Sequence, residues 1–307
     1  MSSQRIMNFI SMLSAVILLF GIAACGTTAA PPTPTLGPTL QPSEAERTLT
    51  VGGLKRSYLL HIPPGIDTSR PVPVVFALHG FDNEIHYEII DMQNVTGLSA
   101  MSDSNGFVLV YASSYSGFWN VGGGCCAEAA TDNVDEPAYF RAVLADLNTV
   151  VKVDPKRVYA MGFSMGGMLS FALACQMADT FAAIAPIAGS ELYTPCQPSQ
   201  PVSIMQVHGK QDLAMPYAGG KGGFLSGTYT FLPVEQTLAD WARLDGCSAT
   251  PTTDQVGVAV HTVYPKCKNG TSVELYTIDA LGSNWPTQYV LPVTQMMWDF
   301  FKAHPKK

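Results

Sequence analysis

Residues 157–170 read RVYAMGFSMGGMLS and decide the fold of this chain. A short apolar run rich in strand formers, 158–161, precedes Gly-Phe-Ser-Met-Gly, and an apolar segment suited to a helix, 168–174, follows it. This order of strand, sharp turn and helix is typical of a nucleophile elbow. Gly162 and Gly166 stand where side chains would collide with the neighbouring strand and helix. The alternative interpretation is a structural turn in a glycine-rich loop.

Ser164 at the centre of this stretch is the predicted nucleophile. Its Oγ would stand at the N-terminus of the following helix. There the amide of Met165 and the helix dipole can stabilise an oxyanion, so Met165 is a predicted oxyanion donor.

Size and charge limit the other classes of function. The chain has 307 residues, of which 47% are hydrophobic and 13% charged, enough for one large core. Seventeen basic residues against 24 acidic ones give a formal charge of -7. The only basic cluster is Lys306-Lys307, so nucleic acid is excluded as a predicted partner.

The N-terminal residues predict an export signal rather than part of the fold. Arg5 is followed by an apolar run, 9–20, and then by small residues before Cys25. This pattern predicts a lipoprotein signal peptide over 1–24, with Cys25 lipidated and anchored to a membrane. The alternatives are an ordinary secretory signal and a transmembrane anchor, for which the run is short. The Thr/Pro-rich residues of 25–46 predict an extended tether, and the catalytic domain is predicted over 47–305.

Six cysteines remain beyond Cys25, and an even number in an exported chain predicts disulfides. They are Cys125, Cys126, Cys175, Cys196, Cys247 and Cys267. Closeness in sequence favours a bond between the last two. A zinc site is the alternative, but no histidine lies at ligand spacing from these cysteines.

Strand and helix patterns alternate along the rest of the chain. The predicted strands are a hairpin over 47–62 and then 72–78, 106–112, 158–161, 181–188, 202–208 and 272–278. The predicted helices are 138–151, 168–174, 234–244 and 293–303. This alternation predicts an α/β fold with a doubly wound, mostly parallel sheet and helices on both faces.

Polar loops follow two of the strands, at the sheet edge where open α/β folds bind ligands. In the first loop, the amide of Phe81 is the predicted second oxyanion donor, and His79 is expected to form a hydrogen bond within its own loop. In the second loop, Asp212 is the predicted carboxylate that orients a catalytic histidine. The alternative role for Asp212 is to cap a turn.

A glycine-rich loop with several aromatic residues lies between these two. Tyr115, Phe118 and Trp119 precede three glycines and the pair Cys125-Cys126. Because so many aromatic residues on one loop cannot all be core, they are predicted to line a substrate cleft. The paired cysteines would hold the loop rigid.

Several motifs together resemble those of the polyhydroxybutyrate depolymerase and feruloyl esterase group of α/β-hydrolases. The motifs are Leu78-His79-Gly80, Trp119-Asn120 with Cys125-Cys126-Ala127, Gly162 through Met168, and His208-Gly209 with Asp212. The resemblance covers about 48–305. It implies a secreted serine esterase that acts on polyesters or on hydroxycinnamoyl esters of plant cell wall and needs no cofactor. It also implies Ser164 as nucleophile, Asp212 as orienting acid, and Phe81 and Met165 as oxyanion donors.

One loop departs from that family pattern. The family has Gly-Gly-Gly-His-x-Trp-Pro-Gly, in which the histidine is the general base, whereas residues 280–287 here read ALGSNWPT. Trp285 and Pro286 fix the alignment, so Trp285 is assigned to the substrate cleft and Ser283 to the position of the histidine. A hydroxyl cannot take a proton from Ser164 as an imidazole does.

The chain contains six histidines, and His86 after the Phe81 loop is the candidate for a relocated base. His261 and His304 lie in unsuitable places by this alignment, and His61 and His208 are expected to be core or strand-end residues. Two hypotheses follow: a serine esterase of weak activity, or an impaired enzyme that acts as a cell-surface ligand-binding protein.

Overall fold

A computed structural model describes residues 43–81, 87–224 and 227–307, which belong to one compact unit. The strands there are β1 (Ser43–Val51), β2 (Leu54–Ile62), β3 (Val72–Leu78), β4 (Val108–Ala112), β5 (Val153–Phe163), β6 (Ala183–Ile187), β7 (Ser203–Gly209), β8 (Gly220–Phe224), β9 (Gly227–Phe231), β10 (Thr252–Val256), β11 (Ala259–Tyr264) and β12 (Val273–Ile278). The helices are α1 (Tyr87–Thr96), α2 (Leu98–Asn105), α3 (Ala127–Thr131), α4 (Glu136–Leu147), α5 (Met165–Gln176), α6 (Val234–Leu244) and α7 (Val293–Ala303).

Ten of these strands form one sheet in the order β1-β2-β4-β3-β5-β6-β7-β12-β11-β10. The six central strands, from β4 to β12, are parallel to one another. Antiparallel strands extend the sheet at both sides. Strand β3 is buried at every position, as a strand covered on both faces should be.

Helices cover both faces of this sheet. On one face, Phe140 of α4, Leu169 of α5 and Trp241 of α6 belong to one buried cluster. On the other face, Leu98 of α2 and Phe301 of α7 belong to a second cluster. Alternate residues of β3 enter the two clusters in turn, because successive side chains of a strand point to opposite faces. The predicted α/β fold with helices on both faces is therefore confirmed.

Most elements lie where the sequence predicts them. Strand β3 and helices α6 and α7 have the predicted bounds. The sequence did not predict the β10–β11 hairpin, because the polar segment TTDQV of β10 has no apolar alternation and lies almost wholly exposed.

The start of the sheet differs from the predicted domain boundary. Strand β1 begins at Ser43, so it contains the last four residues of the predicted tether, and Ser43 pairs with Ile62. The predicted signal peptide and Cys25 lie outside the described residues. In the described ranges, no helix is both long and apolar enough to cross a membrane.

Candidate active site

Ser164 lies at a strained turn between β5 and α5. Its backbone has φ 54° and ψ −118°, a region that a residue with a side chain rarely adopts. The Ser164 amide donates to the carbonyl of Ile187 at 2.9 Å, which ties the turn to β6. A Cβ at Gly162 would overlap the carbonyl of Gly166, and a Cβ at Gly166 would overlap that of Leu78. This close backbone packing produces the geometry of a nucleophile elbow.

The loop after β3 passes beside the elbow. A Cβ at Gly80 would lie 3.2 Å from the Cβ of Ser164. The ring of His79 donates from Nδ1 to the Gly80 carbonyl at 2.6 Å and accepts at Nε2 from the Ser114 amide at 3.2 Å. The prediction that His79 forms a hydrogen bond within its own loop is confirmed.

The two predicted oxyanion donors are connected to the elbow in different ways. Met165 follows Ser164 in the chain, and Phe81 belongs to the loop whose Gly80 lies beside Ser164. Met165 is the first residue of α5, where amides have no acceptor inside the helix. Phe81 follows Gly80 directly. The direction of the two amides toward a bound substrate stays a prediction.

Asp212 is held in the turn after β7. Its Oδ1 accepts from the amides of Ala214 at 2.9 Å and Met215 at 2.8 Å, so the turn-cap role is present. The same oxygen also accepts a hydrogen bond from the hydroxyl of Ser283. Asp212 is 3% exposed. The residue at the family's base position therefore lies against the predicted orienting carboxylate.

Two loops must approach closely for this contact. Strands β7 and β12 are neighbours, and a Cβ at Gly209 would overlap the carbonyl of Leu281. The amide of Gln211 donates to the Leu281 carbonyl at 2.9 Å, and that of Lys210 donates to the Ile278 carbonyl at 3.0 Å. Gly209 and these backbone bonds hold the Ser283 loop in place.

His208 lies behind Asp212 and has a role that the sequence did not predict. It is fully buried, donates from Nε2 to the Met215 carbonyl at 2.9 Å, and lies 3.5 Å from Asp212 Oδ2. Its Nδ1 accepts from Gln206 Nε2 at 3.1 Å, and burial lowers the pKa of His208. A neutral imidazole therefore supports the turn that carries Asp212. The signal was the alternation of Gln206 and His208, which puts both on one face of β7.

The other described histidines bind groups away from Asp212. His61 Nε2 lies 2.9 Å from Asp103 Oδ1, and His261 lies between two carboxylates on the β10–β12 side of the sheet. His304 contacts the Phe300 carbonyl at 2.8 Å. The candidate relocated base, His86, lies outside the described residues.

Aromatic side chains lie on two sides of the elbow. The half-buried rings of Phe81 and Phe118 have centroids 4.8 Å apart. Trp285 is also half-buried, and its ring contacts that of Phe163, the residue before Ser164, edge-on at 6.3 Å. Tyr115 is half-buried and donates its hydroxyl to Asp132 at 2.9 Å.

Trp119 does not line a cleft, and this part of the sequence prediction is wrong. The side chain is 0% exposed, and its Nε1 donates to the His79 carbonyl at 3.1 Å. A large ring enters the core from this glycine-rich loop because its one polar atom finds a backbone acceptor there. Trp119 therefore supports the Gly80 loop from the core, through its hydrogen bond to the residue before Gly80.

A buried ion pair anchors the loop that carries Trp119. Arg56 donates to Glu136 Oε2 at 3.0 Å and to the Ser113 carbonyl at 3.1 Å. The other oxygen of Glu136 accepts from the Asn120 amide at 3.1 Å. Both ends of the segment 113–120 are thus bound to one charge pair.

All six predicted cysteines form disulfides. The pairs are Cys125–Cys126, Cys175–Cys196 and Cys247–Cys267. The predicted Cys247–Cys267 bond is confirmed, and the zinc alternative is wrong because none of these six cysteines keeps a free thiolate to bind the metal. The described ranges contain no cluster of three or more metal-ligating side chains.

A groove adjoins the loop that carries Ser283. It has a volume of about 820 Å³ and runs between α1, α2 and the segment 284–295. Trp285 and Tyr289 contribute rings, and the lining contains no charged side chain. An uncharged molecule of some length would fit there.

Esterases and a depolymerase are among the known proteins with similar sequences. The profile of the Dienelactone hydrolase family matches residues 89–219. Feruloyl esterase B of Piromyces equi is 30% identical over 257 residues, covering 80% of this chain and 45% of the relative. Poly(3-hydroxyalkanoate) depolymerase C of Paucimonas lemoignei is 29% identical over 252 residues, covering 74% and 58%. The chain thus spans about half the length of these curated relatives.

Similarity to solved structures concerns the fold. Acetyl xylan esterase from Aspergillus awamori superposes with a TM-score of 0.55 at 14% identity, covering 84% of this chain and 99% of that one. With the sheet order and the elbow, the comparisons confirm the resemblance predicted from the sequence. This chain has the α/β-hydrolase fold and resembles the polyhydroxybutyrate depolymerase and feruloyl esterase group.

Proposed function

We propose that this protein is a serine esterase that hydrolyses carboxylic esters through Ser164. The observation that carries the proposal is the backbone of Ser164, at φ 54° and ψ −118° between a buried strand and a helix N-terminus. Strain of this kind persists only where the surroundings impose it, and such sites are commonly functional. Here Gly162 and Gly166 are the residues whose missing side chains permit it.

The surroundings of Ser164 suit the stabilisation of a tetrahedral intermediate. The amide of Met165 at the helix N-terminus and the amide of Phe81 are the proposed donors to the oxyanion. By the family pattern, Asp212 is the proposed orienting acid, and Ser283 replaces the histidine that would be the base. Because Ser283 is a poor base, we expect turnover to be weak.

Two kinds of ester are compatible with the names of the relatives. One is a polyester of the polyhydroxyalkanoate type, and the other is a feruloyl or acetyl ester of plant cell wall. The uncharged groove beside Trp285 is the proposed location for the remainder of either substrate. The aromatic rings of Phe81, Phe118 and Trp285 would contact the acyl or alcohol group nearest the serine.

The second candidate function is ligand binding without turnover. The hydrogen bond from Ser283 to Asp212 favours it, because the carboxylate of the triad is bound to a hydroxyl rather than to an imidazole. A protein of this kind would keep the cleft and lose the reaction.

Ester hydrolysis by wild type and by Ser164→Ala separates the two functions. We expect wild type to hydrolyse p-nitrophenyl acetate and butyrate above background, and Ser164→Ala to lose that rate. A fluorophosphonate should add its mass to a peptide containing Ser164. Equal rates for wild type and Ser164→Ala, with no labelled serine, would favour the ligand-binding protein.

We also propose that the protein acts outside the cytoplasm, tethered to a membrane through a lipid on Cys25. The three disulfides support an oxidising compartment. In a bacterial host, Cys25→Ala should move the protein from the membrane fraction to the soluble fraction or leave it unprocessed. An intact mass without lipid on Cys25 in the wild-type protein would exclude the anchor.

A further inference from the structure

The amide of Phe81, the proposed second oxyanion donor, shares a peptide plane with the carbonyl of Gly80. This peptide bond is trans, so its N–H and C=O point in opposite directions on a rigid plane. The group that holds the Gly80 carbonyl therefore also sets the direction of the Phe81 amide. His79 holds it, since Nδ1 of its ring donates to that carbonyl at 2.6 Å. The carbonyl is turned toward a buried ring, and the Phe81 amide points away from that ring.

The segment 113–120 holds His79 at two places. The ring accepts at Nε2 from the Ser114 amide at 3.2 Å, and the backbone carbonyl of His79 accepts from Trp119 Nε1 at 3.1 Å. The rings of His79 and Trp119 also contact each other, with centroids 4.9 Å apart. Because a backbone amide can only donate, the Ser114 bond requires the ring hydrogen on Nδ1, the nitrogen that faces the Gly80 carbonyl. The segment thus fixes the position and the tautomer of His79.

The buried pair of Arg56 and Glu136 binds this segment beside each of those contacts. Arg56 donates to the carbonyl of Ser113 at 3.1 Å, and Glu136 accepts from the amide of Asn120 at 3.1 Å. Ser113 and Asn120 directly adjoin the two residues that hold the histidine. The guanidinium also lies 5.8 Å from the ring centroid of Trp119, within reach of a cation–π interaction.

A buried charge pair is a poor choice if stability is its only role. Arg56 and Glu136 are 3% and 1% exposed, so both charges have lost most of their hydration. Because this desolvation offsets their attraction, apolar residues of similar volume often stabilise a fold as well or better. Apolar residues could not bind a backbone carbonyl at one end of a loop and a backbone amide at the other. Directed bonds to the segment 113–120 are what this pair supplies.

From these contacts we propose that Glu136 and Arg56 are positioning residues for the Phe81 amide and act on it through Trp119 and His79. The inference rests on the proposed esterase function and extends it to residues that act through others. One oxyanion donor contributes about 10²–10³-fold to kcat, and a misplacement of about 1 Å can cost 10²-fold. An amide that turns away from the developing oxyanion therefore lowers kcat and leaves the binding of the substrate nearly unchanged.

Glu136→Gln and Asp146→Asn form a matched pair of variants on helix α4. Each converts a carboxylate that binds an arginine into an amide. Asp146 binds Arg47 and Tyr58, neither of which belongs to the segment 113–120. The two variants therefore remove similar interactions from one helix, and only the first removes a bond that leads to the elbow.

Release of p-nitrophenol from p-nitrophenyl acetate gives kcat and KM for wild type and both variants, and thermal unfolding gives their melting temperatures. In Glu136→Gln an acceptor oxygen becomes a donor, so a bond to Arg56 or to the Asn120 amide is lost. We expect kcat to fall by about 10–10²-fold with KM nearly unchanged. Asp146→Asn should keep the wild-type kcat. Kinetics below all melting temperatures ensure that unfolding does not produce the difference.

A double variant tests whether the effect passes through Trp119. Trp119→Phe keeps an aromatic ring in the core and removes the Nε1–H that binds the His79 carbonyl. If the pair acts through this bond, Glu136→Gln should add little to the loss of kcat in Trp119→Phe, since residues of one network are not additive. Asp146→Asn with Trp119→Phe should give the product of the two single effects.

The outcomes separate this inference from the esterase itself. If wild type hydrolyses the ester through Ser164 and Glu136→Gln is as active as Asp146→Asn, the positioning role is overturned and the esterase stands. Multiplying losses in the double variant with Trp119→Phe overturn the connection through that residue. If Glu136→Gln does not fold, Trp119→Phe decides, because an unchanged kcat there contradicts the proposal. A wild type that neither hydrolyses the ester nor reacts with a fluorophosphonate at Ser164 overturns both proposals.

Discussion

The elbow around Ser164 and the loop around Ser283 lie at the same edge of the sheet, yet they are specified in different ways. The elbow depends on backbone contacts between Gly162, Gly166 and Leu78 that exclude any side chain. The Ser283 loop is positioned by Gly209 and by backbone hydrogen bonds to Leu281, whereas Ser283 itself is exposed. The backbone of Ser164, the proposed nucleophile, is thus fixed by buried contacts, whereas Ser283, at the family's base position, is one exposed side chain on a loop.

Restoring the base is the strongest test of this contrast. Ser283→His should raise the rate on alkyl esters by about 10²–10⁴-fold, because Asp212 is present to orient an imidazole. The gain should be larger when Ala280→Gly and Leu281→Gly accompany it, since a misplacement of about 1 Å can cost 10²-fold. Steady-state kinetics on ethyl acetate would measure it. Ordinary esterase activity in wild type, lost in His86→Ala and unchanged in Ser283→Ala, would contradict the assignment of this loop.

A matched pair of glycine substitutions compares how well the elbow and the Ser283 loop tolerate an added side chain. Gly166→Ala should lower the free energy of unfolding by at least about 1–3 kcal/mol, because its Cβ meets backbone atoms that cannot move aside. Gly282→Ala, whose Cβ would contact its neighbours at an ordinary 3.5 Å, should change it little. Urea denaturation measures both. Equal effects would show that the elbow is no more constrained than the loop.

The two long-range disulfides provide a third comparison. Cys175–Cys196 fixes the end of α5, the elbow helix, and Cys247–Cys267 joins segments that precede β12. Their sequence separations are 21 and 20 residues, so loop entropy predicts about 3 kcal/mol for each. Double serine variants of each pair should therefore melt at similarly reduced temperatures. A much larger loss for one pair would show that native packing around that bond, rather than chain entropy, provides most of its stabilisation.

The last prediction concerns the effect of pH on stability through Glu191, which follows β6. Burial raises the pKa of Glu191 to about 7, although the hydrogen bond that Trp241 Nε1 donates to its carboxylate acts in the opposite direction. Because the folded pKa lies above the unfolded value, the folded state holds the proton longer, and stability should fall as pH rises from about 4.5 to about 7. Glu191→Gln should remove that part of the pH dependence, measured as melting temperature at pH 5 and pH 8. An unchanged slope would contradict it.

The sequence predicted the parts of the molecule in which periodicity or a local motif determines structure. The buried run of β3 and the apolar spacing of α6 and α7 were sufficient to set their bounds. The burial of Trp119 was not predictable, since it depends on a distant acceptor, the carbonyl of His79. Likewise, alignment identified Ser283 as a substitution, but its bond to Asp212 requires the approach of two loops 71 residues apart.

Strand β1 also sets the distance between the start of the described domain and the proposed active site. It runs in the same direction as the central parallel strands, and Ser43 pairs with Ile62 at their amino-terminal edge. Ser164 lies at the opposite, carboxyl-terminal edge. Nine residues of strand span about 30 Å, so Ser43 lies roughly one strand length from the edge that carries Ser164. The start of the described domain is therefore remote from the proposed site, and a polymeric substrate could reach Ser164 without passing Ser43.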